Sequence, residues 1–255
     1  MGAATTTLFV AAGLMASTVD DRLASPLLYR AWGPSLAVGL DRPGDWWVQA
    51  RLGGGTRWST PMGHGRRHIS LESEDPFTGE TSTRDLVLPS RGFEFGAHAS
   101  VLRRAGPLWV GPSLRVEGRY TGSGHVLGSW GDGELGLEAT VFGVHRARGL
   151  ALQGGASAHL LGVVTRMPFD LNPLVHDRSV LGGFFSEGTR VTTPRGHQAL
   201  RVSGRLQRDP EGGRKAQPFV GLDLSVVSDR SPEPLLRTRG VVCLGYGRVP
   251  ARGVR

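Results

Sequence analysis

Alternation of apolar and polar residues over segments of about ten residues is the feature that most constrains the fold of this chain. Between residues 150 and 160 the even positions are apolar or small, whereas Gln153, Ser157 and His159 occupy odd positions. Successive side chains of a β-strand point to opposite faces, so this period predicts strands with one apolar and one polar face. Similar segments lie around residues 36–40, 46–52, 93–101, 114–120, 134–141, 200–206, 220–226 and 236–246.

The composition fits an all-β chain that binds no nucleic acid. The 255 residues include 39 glycines and 16 prolines, which leave few stretches able to form a long helix. No linker divides residues 1–255, so we expect a single domain. The net charge of +8 comes almost wholly from arginine, because Lys215 is the only lysine. These arginines are spread along the chain and do not form the clustered basic face that nucleic-acid binding requires. The lone Cys243 excludes an intramolecular disulfide.

The connections between the alternating segments differ in length. Turns at residues 41–45, 104–107, 145–149 and 209–214 are rich in the residues that tight turns favour, such as Gly, Pro and Asp. Long polar or glycine-rich connections lie between them. In this organisation the chain resembles the outer-membrane β-barrel class of bacteria, whose short turns are periplasmic and whose long loops are extracellular. The resemblance predicts an antiparallel up-and-down transmembrane barrel of ten strands, with eight as the alternative. The expected extracellular loops are residues 18–29, 58–85, 121–132, 167–196 and 230–234.

Residues 1–17 have two interpretations. The apolar stretch Leu8–Ala16 has the length of a signal-peptide core, but the basic segment that normally precedes such a core is missing. Alternatively, Thr5–Ser17 is the first strand. Bacterial barrels have even strand numbers and periplasmic termini, and counting this strand raises nine to ten. We therefore expect residues 1–17 to contain the first strand.

Alternation alone does not decide which face is buried, because a soluble β-barrel or sandwich that binds apolar ligands has the same period. Segment lengths near the 9–11 residues of a tilted membrane strand favour lipid on the apolar face. Aromatic residues also concentrate near segment ends, as in the interfacial girdles of outer-membrane barrels. The predicted location is the bacterial outer membrane, with its lipid as the partner of the apolar face. The predicted interfacial aromatics are Trp32, Trp46, Trp47, Trp109, Tyr120 and Tyr246.

The polar face carries many charges of both signs, which we expect to line the lumen and to pair between strands. The predicted lumen-lining residues are Arg51, Glu94, His98, Arg115, Glu117, Arg119, Glu134, Glu138, His159, Arg201, Arg205, Asp223, Arg237 and Arg239. A barrel of eight to ten strands is largely filled by side chains. The sequence therefore predicts a structural role, or a narrow pore or binding role, for a barrel with a charge-paired interior.

The alternative of an outer-membrane hydrolase acting on lipid or peptide depends on one strand. His98 and Ser100 share its polar face and Glu117 lies on the next segment, so a base, a hydroxyl and a carboxylate could meet. The order His-x-Ser resembles the motif of outer-membrane lipid A deacylases. In that family, however, the catalytic groups face the lipid, whereas here they share the charged side. Whether the chain is an enzyme therefore stays open.

No cofactor or metal ion is expected. His64 and His68 are four residues apart, a spacing that binds metal when a helix presents both, but here they lie in a glycine-rich loop. The sequence contains no P-loop, dinucleotide-binding fingerprint or nucleophile elbow. The connection 167–196 is rich in large apolar residues, including Phe169, Leu171, Leu174, Val175, Leu181, Phe184 and Phe185, which is unusual for a solvated loop. A protein partner that contacts this segment is one explanation, and an irregular extension of the flanking strands is the other.

Overall fold

The computed structural model describes residues 6–21, 28–62, 69–74, 81–86, 90–123, 129–166, 188–208, 216–230 and 234–247. Within these ranges the chain forms thirteen β-strands. They are β1 (Thr7–Asp21), β2 (Leu28–Arg42), β3 (Trp46–Met62), β4 (Ile69–Glu74), β5 (Thr81–Leu86), β6 (Ser90–Ala105), β7 (Leu108–Ser123), β8 (Ser129–Ala147), β9 (Leu150–Arg166), β10 (Thr189–Thr192), β11 (His197–Arg208), β12 (Gln217–Asp229) and β13 (Leu235–Gly247). This described part contains no helix long and apolar enough to cross a membrane.

Ten of these strands form a closed antiparallel barrel. Its order is β1, β2, β3, β6, β7, β8, β9, β11, β12 and β13, and β13 pairs with β1 to close the ring. Neighbours in the ring follow one another along the chain, so the topology is up-and-down. Closure leaves no unpaired barrel edge, which a sheet surrounded by hydrocarbon requires. The predicted ten-stranded fold is confirmed, and β4 and β5 form a separate two-stranded hairpin.

Strand β1 shows how alternation places residues on the two faces of the wall. Leu8 and Leu14 are 67% and 68% exposed, whereas Phe9 and Met15 are 7% and 2% exposed. The inner face of β1 is apolar because Phe9 packs in the lumen against Phe219 of β12, with the ring centroids 6.0 Å apart. This contact explains why the stretch is apolar on both faces and yet forms a strand.

Large apolar side chains cover the outside of the barrel. The exposed set comes from every barrel strand and includes Leu14, Leu36, Leu52, Phe95, Leu114, Leu137, Leu152, Val202, Leu222 and Leu244. A soluble protein rarely exposes a contiguous apolar surface of this extent to water. The charged residues lie on the opposite, inner face. Lipid hydrocarbon therefore covers the apolar face, and the alternative of a soluble barrel with an apolar interior is excluded.

Several barrel strands extend into ranges predicted to be loops. The barrel strands contain 12 to 19 residues, whereas about 9–11 residues are needed to cross the hydrocarbon. Thus β1 and β2 extend into 18–29, β3 into 58–85, and β7 and β8 into 121–132. Alternation is weak in these extensions because polar residues or glycines occupy both faces of the strand, as Ser59 and Thr60 do in β3. Parts of the predicted loops, at 22–27, 63–68, 75–80, 124–128, 167–187 and 231–233, lie outside the described residues, as does the predicted turn at 209–214. So do residues 1–5, His64 and His68.

Two of the predicted interfacial aromatics point into the barrel instead. Trp32, Trp46, Tyr120 and Tyr246 lie on the outward face. Trp47, however, is 1% exposed, because a residue next to an outward-facing Trp46 must point inward. Trp109 follows the same rule between two exposed neighbours, Leu108 and Val110, and its ring packs against Trp47 at 4.9 Å between centroids.

The wall is irregular between β10 and β11. Both strands pair with β9, through Thr192 opposite Gly162 and Leu200 opposite Ala158. Three residues of β9, 159–161, therefore face seven residues, 193–199, of the opposing chain. The extra residues form a turn in which the amides of Gly196 and His197 both donate to the carbonyl of Thr193, at 3.0 and 2.9 Å. This turn determines where the first residue of β11, His197, enters the lumen.

Candidate functional site: the charged lumen

The inner face of the barrel carries most of the ionisable groups that sequence analysis singled out. The structure places all fourteen predicted lumen residues on this face, either buried or half-buried. Further inward-facing charged residues are Asp41, Arg57, Asp132, Arg166, Arg190, His197 and Asp229. Most of these lie near strand ends, beyond the segments in which the sequence alternates clearly. His197 and Asp229 occupy odd positions, as do the polar residues of the segments 200–206 and 220–226. Continuing that alternation beyond the two segments predicts that both face inward.

Arg237 joins opposite walls of the barrel. It extends from β13 to Glu117 of β7, with 3.4 Å between Nη2 and Oε2. In a ring of ten strands these two are five positions apart, which is the largest possible separation. Arg237 also donates from Nη1 to Asp132 of β8 at 3.0 Å. Two residues further along β13, Arg239 donates to Glu94 of β6 at 2.5 Å. Side chains from β13 therefore cross the lumen at two levels.

Glu138 of β8 is the most enclosed carboxylate of the lumen, with a side chain that is 0% exposed. It accepts hydrogen bonds from Arg201, from Nε of Arg115 at 3.2 Å and from Ser157 at 2.6 Å. Arg201 also contacts Glu117 at 3.4 Å and donates to Glu134 at 3.0 Å. Burying these charges is costly, and the multiple partners of each group offset that cost.

Nearer the rim that carries the short turns, Arg205 of β11 lies between the rings of Phe9 and Phe219 and the carboxylate of Asp41. Its Nη2 donates to Asp41 of β2 at 2.9 Å, four strand positions away around the ring. Its guanidinium lies 4.3 Å from the ring centroid of Phe9 and 4.8 Å from that of Phe219. Cation–π contacts of this kind strengthen when the cation is desolvated. Gln49 of β3 extends the layer by donating to Asp41 at 3.2 Å.

Apolar side chains fill the lumen beside the contact between Arg205 and Asp41. Trp47, Leu102 and Phe142 form a buried cluster, in which the rings of Trp47 and Phe142 are 4.8 Å apart. Trp109 packs against the cluster, and its indole nitrogen donates to the carbonyl of Gly44 at 3.0 Å. The end of the barrel that carries the short turns is therefore occupied by packed side chains.

The lumen contains a cavity of about 170 Å³, and Phe142, Arg201 and Arg237 are among the residues that line it. Its charged lining consists of six arginines and three acids, namely Arg51, Arg115, Arg119, Arg201, Arg237, Arg239, Glu94, Glu117 and Asp223. Three further acids, Asp132, Glu134 and Glu138, form ion pairs with these arginines from just behind the lining. The lining itself therefore has an excess of positive charge, which the three acids behind it partly offset.

The residues proposed for a hydrolase do not form a nucleophile–base pair. Ser100 is 2% exposed and donates its hydroxyl to Oε1 of Gln49 at 3.2 Å, not to His98. His98 lines the cavity, on the inner side of the wall and away from lipid. Glu117 is engaged by Arg115, Arg201 and Arg237. This arrangement suits an internal polar network better than nucleophilic catalysis, which needs the base within hydrogen-bond reach of the hydroxyl.

Towards the other end of the lumen, Glu134, His159 and His197 converge. They come from three neighbouring wall strands, β8, β9 and β11, and all three are buried. Glu134 and His159 are both among the lumen residues predicted from the sequence, but no contact between them was predicted. His197 is not among the predicted lumen residues. The three side chains come together because of the turn at 193–196. No local pattern in the sequence predicts the shape of this turn. Among the described residues this is the group whose side chains could hold a metal ion.

Comparisons with known proteins find structural neighbours only. No protein-family model matches the chain, and no curated protein matches it. The outer membrane protease OmpT of Escherichia coli is similar with a TM-score of 0.47 and 7% identity, over 95% of this chain and 96% of that chain. The translocator domain of the autotransporter NalP of Neisseria meningitidis has a TM-score of 0.42 and 10% identity, over 94% and 88%. Ail, the attachment invasion locus protein of Yersinia pestis, has a TM-score of 0.31 and 10% identity, over 95% and 98%.

At such scores the assignment to the outer membrane has to come from the barrel itself. A closed antiparallel barrel satisfies all of its wall hydrogen bonds internally, as a membrane-spanning sheet must. Its apolar outer face, outward-facing tryptophans and tyrosines and charged interior are the features of outer-membrane proteins. The chain is an outer-membrane β-barrel of Gram-negative type, and lipid is the partner of its outer face.

Proposed function

We propose that this outer-membrane barrel has a structural role and that its lumen is closed to free diffusion of solutes. The observation that carries the proposal is the ion pair between Arg237 and Glu117, which joins opposite walls. Arg205 with Asp41 and Arg239 with Glu94 cross the lumen at other levels. Each pair obstructs the interior of a barrel that, with ten strands, is already narrow.

The size and charge of the cavity support a structural role over a transport role. Its volume of about 170 Å³ is below the roughly 300–1,000 Å³ of typical ligand pockets. Six arginines and three acids line the cavity, and Asp132, Glu134 and Glu138 pair with these arginines from behind the lining, which reduces the positive field that could attract an anion. Water-filled porins, by comparison, use about 16–18 strands. Cross-linked walls would instead stiffen the barrel and support strands that are longer than the membrane requires.

Conductance in planar lipid bilayers tests this proposal. We expect the wild-type barrel to insert without steady ionic currents. The triple variant Glu117→Ala/Arg205→Ala/Arg237→Ala removes a cross-lumen contact at both the central and the short-turn level and should conduct. A matched control removes the same charges from exposed positions near the turns: Asp45→Ala/Arg103→Ala/Arg208→Ala.

The control should stay closed like the wild type. Steady porin-like currents through the wild-type protein would contradict a closed lumen. Equal currents through both triple variants would show that the cross-lumen pairs are not what closes it. Folding of each variant is checked first by heat-modifiable migration in gels.

Two further roles stay predictions. An outer-membrane hydrolase gains no support from the bonding of Ser100 to Gln49, and unchanged hydrolysis of lipid A by the variants His98→Ala and Ser100→Ala would exclude that site. The protein partner expected at 167–196 depends largely on residues 167–187, which lie outside the described part of the chain. The expected absence of nucleic-acid binding likewise stays a prediction.

A further inference from the structure

We infer that the protein binds a divalent transition-metal ion, for which zinc is the best fit, between Glu134, His159 and His197. The candidate ligand atoms are Oε1 of Glu134, Nδ1 of His159 and Nε2 of His197, and all lie within 4.8 Å of one another. Oε1 is 3.8 Å from Nδ1 of His159 and 3.5 Å from Nε2 of His197. The two imidazole rings meet edge to face, with centroids 4.8 Å apart.

These three atoms are the ones in the cluster that lack a hydrogen-bond partner. Oε1 of Glu134, Nδ1 of His159 and Nε2 of His197 are all buried and form no hydrogen bond of good geometry, and the nearest approach among them is the 3.5 Å between Oε1 and Nε2. The three side chains are 5%, 0% and 2% exposed, so bulk water does not solvate them. A buried polar atom without a partner is costly, and three such atoms facing one point are unusual in a folded protein. A cation at that point would satisfy all three.

The opposite atom of each side chain is held by a neighbouring group. Nδ1 of His197 lies 3.4 Å from Oδ2 of Asp229, and Nε2 of His159 lies 3.2 Å from the hydroxyl of Thr192. Oε2 of Glu134 accepts a hydrogen bond from Arg201 at 3.0 Å. Metal-binding histidines typically donate their second ring nitrogen to a carboxylate or another oxygen, which fixes the tautomer and aims the lone pair at the metal. Asp229 and Thr192 occupy those positions here.

The donor set favours zinc over the alkaline-earth cations. Calcium and magnesium prefer oxygen ligands, whereas two imidazoles and one carboxylate form a common set for zinc, with a fourth position left for water. With zinc bonds of about 2.0–2.1 Å, tetrahedral ligands lie roughly 3.3–3.5 Å apart. Two of the three separations, 3.5 and 3.8 Å, are close to a bound geometry, and the third, between the two histidine nitrogens, is within 4.8 Å, so a modest inward movement of the rings would complete the site. Arg201 approaches Glu134 through Oε2, which leaves Oε1 to face the imidazoles.

A glycine at position 136 leaves space for two of the ligand atoms. A β-carbon at Gly136 would lie 3.2 Å from Oε1 of Glu134 and 3.3 Å from Nδ1 of His159, so any side chain there would press against two of the ligands. The turn at 193–196 brings His197 to the same place from the other side. An ion held by β8, β9 and β11 would fasten the irregular part of the wall.

Without a metal ion, a protonated His197 would bridge Glu134 and Asp229 as a purely ionic contact. Its nitrogens lie 3.5 and 3.4 Å from the two carboxylates. This alternative leaves Nδ1 of His159 without a partner, and it predicts that the folded barrel binds no metal. The two possibilities therefore differ in the measured metal content.

Metal content and cobalt spectroscopy of the full-length folded barrel test the inference. Protein in detergent is stripped with a chelator, equilibrated with Zn²⁺ or Co²⁺, freed of excess ion and analysed by elemental mass spectrometry. The ligand variants are Glu134→Gln, His159→Gln and His197→Gln. The matched control is His98→Gln, which removes another lumenal histidine at the central cavity. Folding of every variant is checked by heat-modifiable gel migration.

We expect one zinc ion per wild-type or His98→Gln barrel. Each ligand variant should bind zinc at least 100-fold more weakly. Asp229→Asn should weaken binding roughly 10–100-fold, as loss of an outer-shell partner does. Cobalt bound to the wild type should show the visible absorption of a low-coordinate N/O site, and this spectrum should change in each ligand variant. A wild-type barrel that retains no zinc, or ligand variants that bind zinc as well as His98→Gln, would overturn the inference. Retention of another first-row metal in preference to zinc would overturn the choice of zinc.

Discussion

Neutralising Glu138 should destabilise the barrel far more than neutralising Asp223, although both substitutions convert a lumenal carboxylate to an amide. Glu138 is 0% exposed and accepts bonds from two arginines and one serine. In Glu138→Gln the volume is kept, but the charge that balances Arg115 and Arg201 is lost and an NH₂ group faces their donors. Asp223, by contrast, is 46% exposed and meets Arg51 at 3.9 Å.

The magnitudes follow from these contacts. Hydrogen bonds to charged groups contribute about 1.5–3 kcal/mol each, and Arg201 keeps Glu117 and Glu134 as partners, so we expect Glu138→Gln to cost about 3 kcal/mol. This corresponds to a change of roughly 100-fold or more in the folding equilibrium constant. A half-exposed pair contributes at most about 1 kcal/mol, so Asp223→Asn should cost less than that.

Equilibrium unfolding in urea measures both values. The barrels are folded into lipid vesicles, and unfolding is followed by tryptophan fluorescence with gel migration as an independent readout. Equal losses for the two variants, or a loss below 1 kcal/mol for Glu138→Gln, would refute the view that charge pairing in the lumen stabilises this barrel.

Three further substitutions test other parts of the structure. Leu36→Arg, at a position that is 68% exposed, should cost about 2–4 kcal/mol when the barrel is folded in a bilayer if the position is near the midplane, and a cost near zero would argue against lipid contact. Trp47→Ala should cost about 3–5 kcal/mol through the loss of a buried ring, and Trp46→Ala clearly less; the same unfolding assay compares them, and equal costs would contradict the inward orientation of Trp47. Arg205→Met should cost about 3 kcal/mol because it leaves Asp41 buried without its counter-ion, and adding Asp41→Asn should recover part of that loss.

The ten-stranded architecture was predictable because the wall depends on a local property. Side chains of a strand alternate whatever the strand pairs with, so the period of two in segments such as 150–160 marks both the strand and its two faces. The same rule places Trp47 inside, next to the outward Trp46, whereas its prediction as an interfacial residue was based on its position near a segment end. Strand ends were harder to predict, because alternation fades where polar residues or glycines occupy both faces of a strand, as in β3 beyond residue 57 and in β8 before residue 134.

The amino-acid sequence by itself determined that the chain forms a β-barrel, that leucine and valine face outward, and that arginine and glutamate face inward. Only the tertiary structure decided which inward groups meet. Arg237 and Glu117 are 120 residues apart in the chain and touch because closure of the ring places β13 opposite β7. Glu134, His159 and His197 converge because a turn at 193–196 shifts one strand against its neighbour. The physical reason is that the face on which a side chain lies depends on the geometry of its own strand. The side chains that it contacts across the lumen depend instead on the number of strands, their stagger and one local irregularity.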